Sequence, residues 1–111
     1  MTDLPNSIRV AGFDFVIRDM PHGDEVGKWG RFSPSTQSIQ LDHATLRQYP
    51  VKYVDTVLHE IGHAICWTYG IEDGDKEERV VGTMMTGLGQ VFRDNRSLLK
   101  WMQEQFRKAD K

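Results

Sequence analysis

Val54, Leu58, Ile61 and Ile65 recur at i, i+4, i+7 and i+11, the spacing of one helical face, within a stretch that is otherwise largely polar. The pattern predicts a helix from about Pro50 to Tyr69. Pro50 suits the first helical position, where its missing N–H costs nothing, and Gly70 supplies a C-terminal stop. Two further stripes follow. Val81, Met85, Leu88 and Phe92 predict a helix running from near Asp75 to Phe92, with Asp75 as N-cap and Glu78 completing a capping box. Leu98, Leu99, Met102 and Phe106 predict a third helix from Arg96 to about Lys108, capped by Asp94 or Asn95. Gly82 and Gly89 share one face of the second helix and would let a neighbouring helix approach closely.

Upstream, the period changes to two. Ile8–Val10 and Phe13–Arg18 read as short strands joined by a tight turn at Ala11-Gly12. Phe13, Phe15 and Ile17 would form the buried row of the second strand. Trp29–Ser33 reads as another strand, which Pro34 must end because it has no N–H for the ladder. Ser38–Asp42 alternates polar and apolar positions and reads as the returning strand. His43–Tyr49 is expected to form a turn of helix. The expected fold is α+β: one domain over residues 1–111, with a small antiparallel or mixed sheet of three to four strands packed on about three helices. One strand could border a cleft, where an extended peptide could add alongside it.

Composition narrows the function classes. With 14 basic and 16 acidic residues in 111, the net charge is -2, and no basic excess points to nucleic acid. The N-terminal stretch lacks a charged-then-apolar leader pattern, and no apolar run is long enough to span a bilayer. A single cysteine, Cys66, excludes an internal disulfide framework, so a cytoplasmic setting is expected.

The candidate chemistry lies inside the first predicted helix. His59-Glu60-Ile61-Gly62-His63 matches H-E-x-x-H. Side chains four apart lie one turn above each other, so two imidazoles can aim at one metal ion. Glu60 borders the same face and can reach a water on that metal without being a ligand. Gly62 weakens the helix, which is easiest to explain if another segment or a substrate passes close by. Asp55, one turn before His59, could orient its ring or could be a solvated charge.

Two imidazoles leave zinc in need of a third protein ligand and an open position. No histidine follows His63, which excludes a third histidine six residues on. A carboxylate remains. Glu78 falls in register with Val81, Met85, Leu88 and Phe92 and should face inward; Glu77 begins the flanking face. Cys66 is a further candidate, and the competing role for Glu78 is helix capping alone. His22 is a candidate metal or substrate contact. His22, His43, Tyr53 and Tyr69 are available to stabilise an oxyanion.

Val57–Ala64, followed by a short loop and a Glu-led apolar helix, resembles a minimal zincin-type metallopeptidase of the gluzincin kind. It is similar to small phage- and prophage-encoded proteins of the ImmA/IrrE and SprT-like groups. The likeness covers roughly residues 38 to 95, about half the chain. It implies a Zn2+ ion held by His59, His63 and Glu78, Glu60 as catalytic base, and a protein or peptide substrate whose peptide bonds are hydrolysed. The alternative is a zinc-containing binding or regulatory module, weak or inactive as a catalyst. A third reading is a structural phage component whose histidines are incidental.

Overall fold

The computed structural model describes residues 3–20, 29–72 and 74–110, with Val81 described by its backbone alone. Among the described residues four strands come first: β1 (Ser7–Val10), β2 (Phe13–Asp19), β3 (Gly30–Ser33) and β4 (Ser38–Leu41). Four helices follow: α1 (His43–Leu46), α2 (Pro50–Tyr69), α3 (Glu77–Asp94) and α4 (Arg96–Ala109). The α+β expectation holds, and the sheet is mixed. Its order is β1-β2-β4-β3, with β2 and β4 parallel and both other pairs antiparallel. β4 therefore sits between β2 and β3, which leaves β3 on an edge of the sheet among the described residues.

The turns follow from residue chemistry. Ala11 and Gly12 both take positive φ, 50° and 87°, as a tight hairpin turn with the twist of its strands requires. Pro34 ends β3, and Gln37 N–H closes the turn onto the Pro34 carbonyl at 3.2 Å.

Cross-strand register puts one apolar row against the helices. Ile8 pairs with Phe15, Ile17 with Ile39, and Ile39 with Phe32. Ile8, Val10, Phe15, Ile39 and Leu41 are fully buried there. Of the row expected on β2, Ile17 is half-buried and Phe13, at the hairpin turn, is exposed. The opposite face is polar, with Arg31 Nε donating to Gln40 Oε1 at 3.1 Å.

α2 is the central element, lying between the sheet and the two later helices. Its predicted stripe is inside: Val54, Ile61 and Ile65 are buried and Leu58 is half-buried. Tyr53, Val57 and Ala64 widen that face toward the sheet and α4. Gly70 takes φ 69° and stops the helix, with Ile71 N–H donating to the Cys66 carbonyl at 2.8 Å.

α3 is rotated relative to the expected stripe. Met84, Gly87, Leu88 and Val91 form its inner side, while Met85 is 59% exposed. The reason is Gly87: a Cβ there would lie 2.7 Å from Ile65 Cγ2, so the close approach to α2 runs through this glycine. Gly82 and Gly89, expected to play that part, have nothing within 4 Å of an added Cβ among the described residues. The Asp75–Glu78 capping box does not form either. The N-cap is Lys76, and Asp75 Oδ2 instead accepts from Glu72 N–H and Arg79 Nη1, both at 2.7 Å.

α4 differs in the same way. Leu98, Trp101 and Gln105 face inward, and Phe106 is exposed. Trp101 meets Tyr53 edge-to-face at 4.9 Å between centroids. Asn95 is the N-cap residue of α4, as expected, but its side chain bonds elsewhere than to the helix it caps. Its Oδ1 accepts from Arg9 N–H at 3.0 Å, and its Nδ2 donates to the carbonyls of Arg9 at 2.9 Å and Val91 at 2.7 Å. Asn95→Ala would leave part-buried backbone groups of β1 without these partners. The expected loss is about 2–4 kcal/mol of stability, measured by urea unfolding.

Candidate metal and peptide site

His59 and His63 stand on the exposed side of α2, beside the core as their register requires. Their Nε2 atoms lie 3.1 Å apart, with the rings at 82° to each other. Two nitrogens bound at ~2.05 Å on a tetrahedral zinc would be about 3.3 Å apart. The pair therefore already has the span of one tetrahedral edge, and the donor set fits zinc at two positions. Glu60, on the same stretch of helix, is only 5% exposed. The three side chains line one recess of about 460 Å3, with Thr56, Asp55 and Lys52 along α2 and Trp29, Gly30, Arg31 and Phe32 across it.

β3 and its approach form the facing wall because its partner, β4, occupies the inner side of the sheet. Gly30 is the closest point. A Cβ added there would lie 2.8 Å from Thr56 Cγ2 and 2.9 Å from Glu60 Oε2, so the strand reaches Glu60 only because residue 30 has no side chain. Phe32, two residues on, stacks on the His63 ring, with centroids 6.5 Å apart and planes at 12°. At the other end Trp29 stacks on Tyr49 at 5.8 Å, and Lys52 Nζ sits 5.6 Å over the Trp29 ring. The Asp55 carboxylate meets Lys52 Nζ at 3.7 Å rather than His59.

Glu78 is not brought to this recess. It is exposed and lines a separate recess with Tyr69 and Arg79. The geometry of the helix pair explains the separation. α3 passes the histidine stretch later in its course, where Met84 Cε would stand 3.4 Å from a Cβ at Gly62. Glu78 precedes Met84 by six residues, ~9 Å along the axis. Gly62 thus does sit beside a crossing segment, and what crosses there is a methionine. Glu77 is exposed as well. Cys66 is half-buried, its Sγ directed at Met84 Sδ at 3.8 Å. Among the described residues, no three His, Cys, Asp or Glu side chains converge on a metal position.

The other expected polar groups are dispersed. His43 Nδ1 hydrogen-bonds the Tyr53 hydroxyl, and His43 Nε2 faces Asp19 Oδ1 at 3.6 Å, in a second recess beneath α4. Burial lowers the His43 pKa, with Asp19 opposing the shift, and burial pushes the Tyr53 phenol up to about 12. Tyr69 Oη donates to Gln90 Oε1 at 2.9 Å. His22 lies outside the described residues. Lys52 and Arg31 border the histidine recess, and the Arg31 guanidinium is bonded to Gln40 on the opposite face of the sheet. Neither these nor Gly30 stood out in the sequence; the one available signal was the alternation Gly30-Arg31-Phe32, which puts residues 30 and 32 on one face.

Neither a protein-family model, nor a curated protein, nor a solved structure matches the chain. None of the described helices is long and apolar enough to cross a membrane.

Proposed function

We propose that this chain is a zincin-like, zinc-dependent peptidase in which His59 and His63 hold the metal and Glu60 carries the proton. The observation that carries the reading is the histidine pair, 3.1 Å apart at Nε2, in a recess it shares with the buried Glu60 and an edge strand. Zinc, when bound, supplies a Lewis acid that polarises a carbonyl and acidifies water. Glu60 takes the proton from the attacking water and delivers it to the leaving amine. β3 supports the choice of a polypeptide substrate, because the side of an edge strand away from its partner can align an extended chain by backbone hydrogen bonds. Gly30 keeps that strand close to Glu60. The lone cysteine fits a cytoplasmic place of work.

The position of Glu78 favours a second reading, a zinc-containing binding or regulatory module with little turnover. Two imidazoles alone hold zinc less firmly than three protein ligands, and water or a substrate oxygen would fill the remaining positions. Metal content decides the shared part of both readings. Elemental mass spectrometry of the purified protein should find about one zinc per chain. His59→Ala should lose it. Glu78→Ala should keep it, since that residue stands about a turn and a half of helix beyond the level of Gly62. No zinc in the wild type, even after its addition, would remove both readings; loss in Glu78→Ala would restore that carboxylate as the third ligand.

A further inference from the structure

We infer that Phe13, Phe32 and Trp67 form a specificity subsite for a bulky apolar side chain of an extended polypeptide, within about two residues of the bond that is cut. The inference rests on the peptidase reading above and names the substrate class of that same site. Trp67 lies four residues after His63, on the same face of α2 and one turn further along. Its indole meets three aromatic rings: Phe13 at 5.9 Å, Phe15 at 6.0 Å and Phe32 at 6.4 Å, each at a steep angle. Phe15 is fully buried beneath them and fixes the cluster to the core. The upper rings are open, Phe13 at 45% and Trp67 at 44% exposure.

This surface is continuous with the metal pair, because Phe32 also stacks on His63. One rigid line of rings therefore runs from the His63 imidazole to the tip of the β1–β2 hairpin. Exposed large aromatics packed against neighbouring rings offer apolar surface with little ordering cost to a ligand. The spacing also fits a strand. Four helical residues advance ~6 Å, and two residues of an extended chain advance ~6.7 Å. A peptide laid along β3 presents alternate side chains to the same side, so a residue two places from the one beside His63 would reach Trp67. The occupant is a side chain of the substrate itself, since Phe32 both lines the histidine recess and meets Trp67.

Two measurements test this. Internally quenched peptides carry one Phe, moved position by position through an Ala/Gly/Ser background, and cleavage is mapped by mass spectrometry. One Phe position should raise kcat/KM roughly tenfold or more over Ala at that position. The Phe/Ala ratio should fall toward one in Trp67→Ala and in Phe13→Ala, and stay largely intact in Trp67→Phe, which preserves a ring and guards against a folding defect. In parallel, fluorescently labelled peptides are titrated against Glu60→Gln and its double variant with Trp67→Ala. Cleavage with the same Phe/Ala ratio in all variants overturns the subsite and leaves the peptidase reading standing. Absence of cleavage together with Phe-dependent binding that Trp67→Ala removes overturns the peptidase reading and the placement beside a cut bond that rests on it, and leaves the three rings as a binding surface for an apolar side chain. Absence of both cleavage and Phe-dependent binding overturns the inference.

Discussion

Glu60→Gln should lower peptide hydrolysis by about 10²–10⁴-fold, the usual contribution of general acid–base catalysis. Its zinc content should stay at the wild-type level. The substitution keeps the size and planarity of the side chain but replaces a carboxylate with an amide that cannot take a proton at neutral pH. Because Glu60 is 5% exposed, solvent cannot readily substitute for it as base. His59 and His63 point to the opposite requirement, so His59→Ala should lose metal and activity together. The distinguishing result is thus activity lost with metal kept, read by peptide cleavage and elemental analysis on one preparation. Undiminished cleavage in Glu60→Gln would sink the mechanism.

Gly30→Ala should reduce hydrolysis by roughly 10–100-fold, the scale expected when a reacting group is misplaced by ~1 Å. The added methyl would approach Thr56 Cγ2 to 2.8 Å and Glu60 Oε2 to 2.9 Å. Thr56 has little freedom to turn aside, since its Oγ1 donates to the Lys52 carbonyl at 2.8 Å. Either β3 moves outward or the Glu60 carboxylate swings away, and both disturb the same recess. Overpacking of this kind also costs about 1–3 kcal/mol of stability, visible in urea unfolding. Thr56→Ser removes the methyl that the new Cβ would strike while retaining the hydroxyl. Combined with Gly30→Ala it should recover part of both losses. An unchanged rate in Gly30→Ala, with unchanged stability, would show that the strand does not hold Glu60 in place.

These two residues also show what could be read in advance. The placement of Glu60 beside both histidines was legible because H-E-x-x-H fixes their relation within a single helix, and local spacing survives folding. The same holds for Pro50 and Gly70 at the ends of α2, for Pro34 at the end of β3 and for the Ala11-Gly12 turn. Gly30 was not legible, because its importance comes from a segment 26 to 30 residues away in the chain, on Thr56 and Glu60. The inward face of α3 failed for a related reason. A stripe through Val81, Met85, Leu88 and Phe92 maximises apolar bulk, yet Gly87 against Ile65 sets the closest contact and turns Met85 outward. The expectation that Glu78 faces inward rested on that stripe. The parallel pairing of β2 with β4 was likewise beyond a pattern read along the chain, since period-two alternation specifies a strand and not its neighbour.

Asn95 has a consequence for the order of assembly. Its side chain fastens β1 to the α3–α4 junction through Arg9, across 86 residues of chain. Closing so long a loop is entropically costly before other contacts shorten it, and such distant contacts slow folding relative to helix formation. During synthesis the β1–β2 hairpin can form early from local contacts, but the residue that ties it to the helical layer emerges only after α3. β1, made before the other described strands, is thus secured only after α3 is made, and the apolar row of Ile8 and Val10 stays incompletely covered until then.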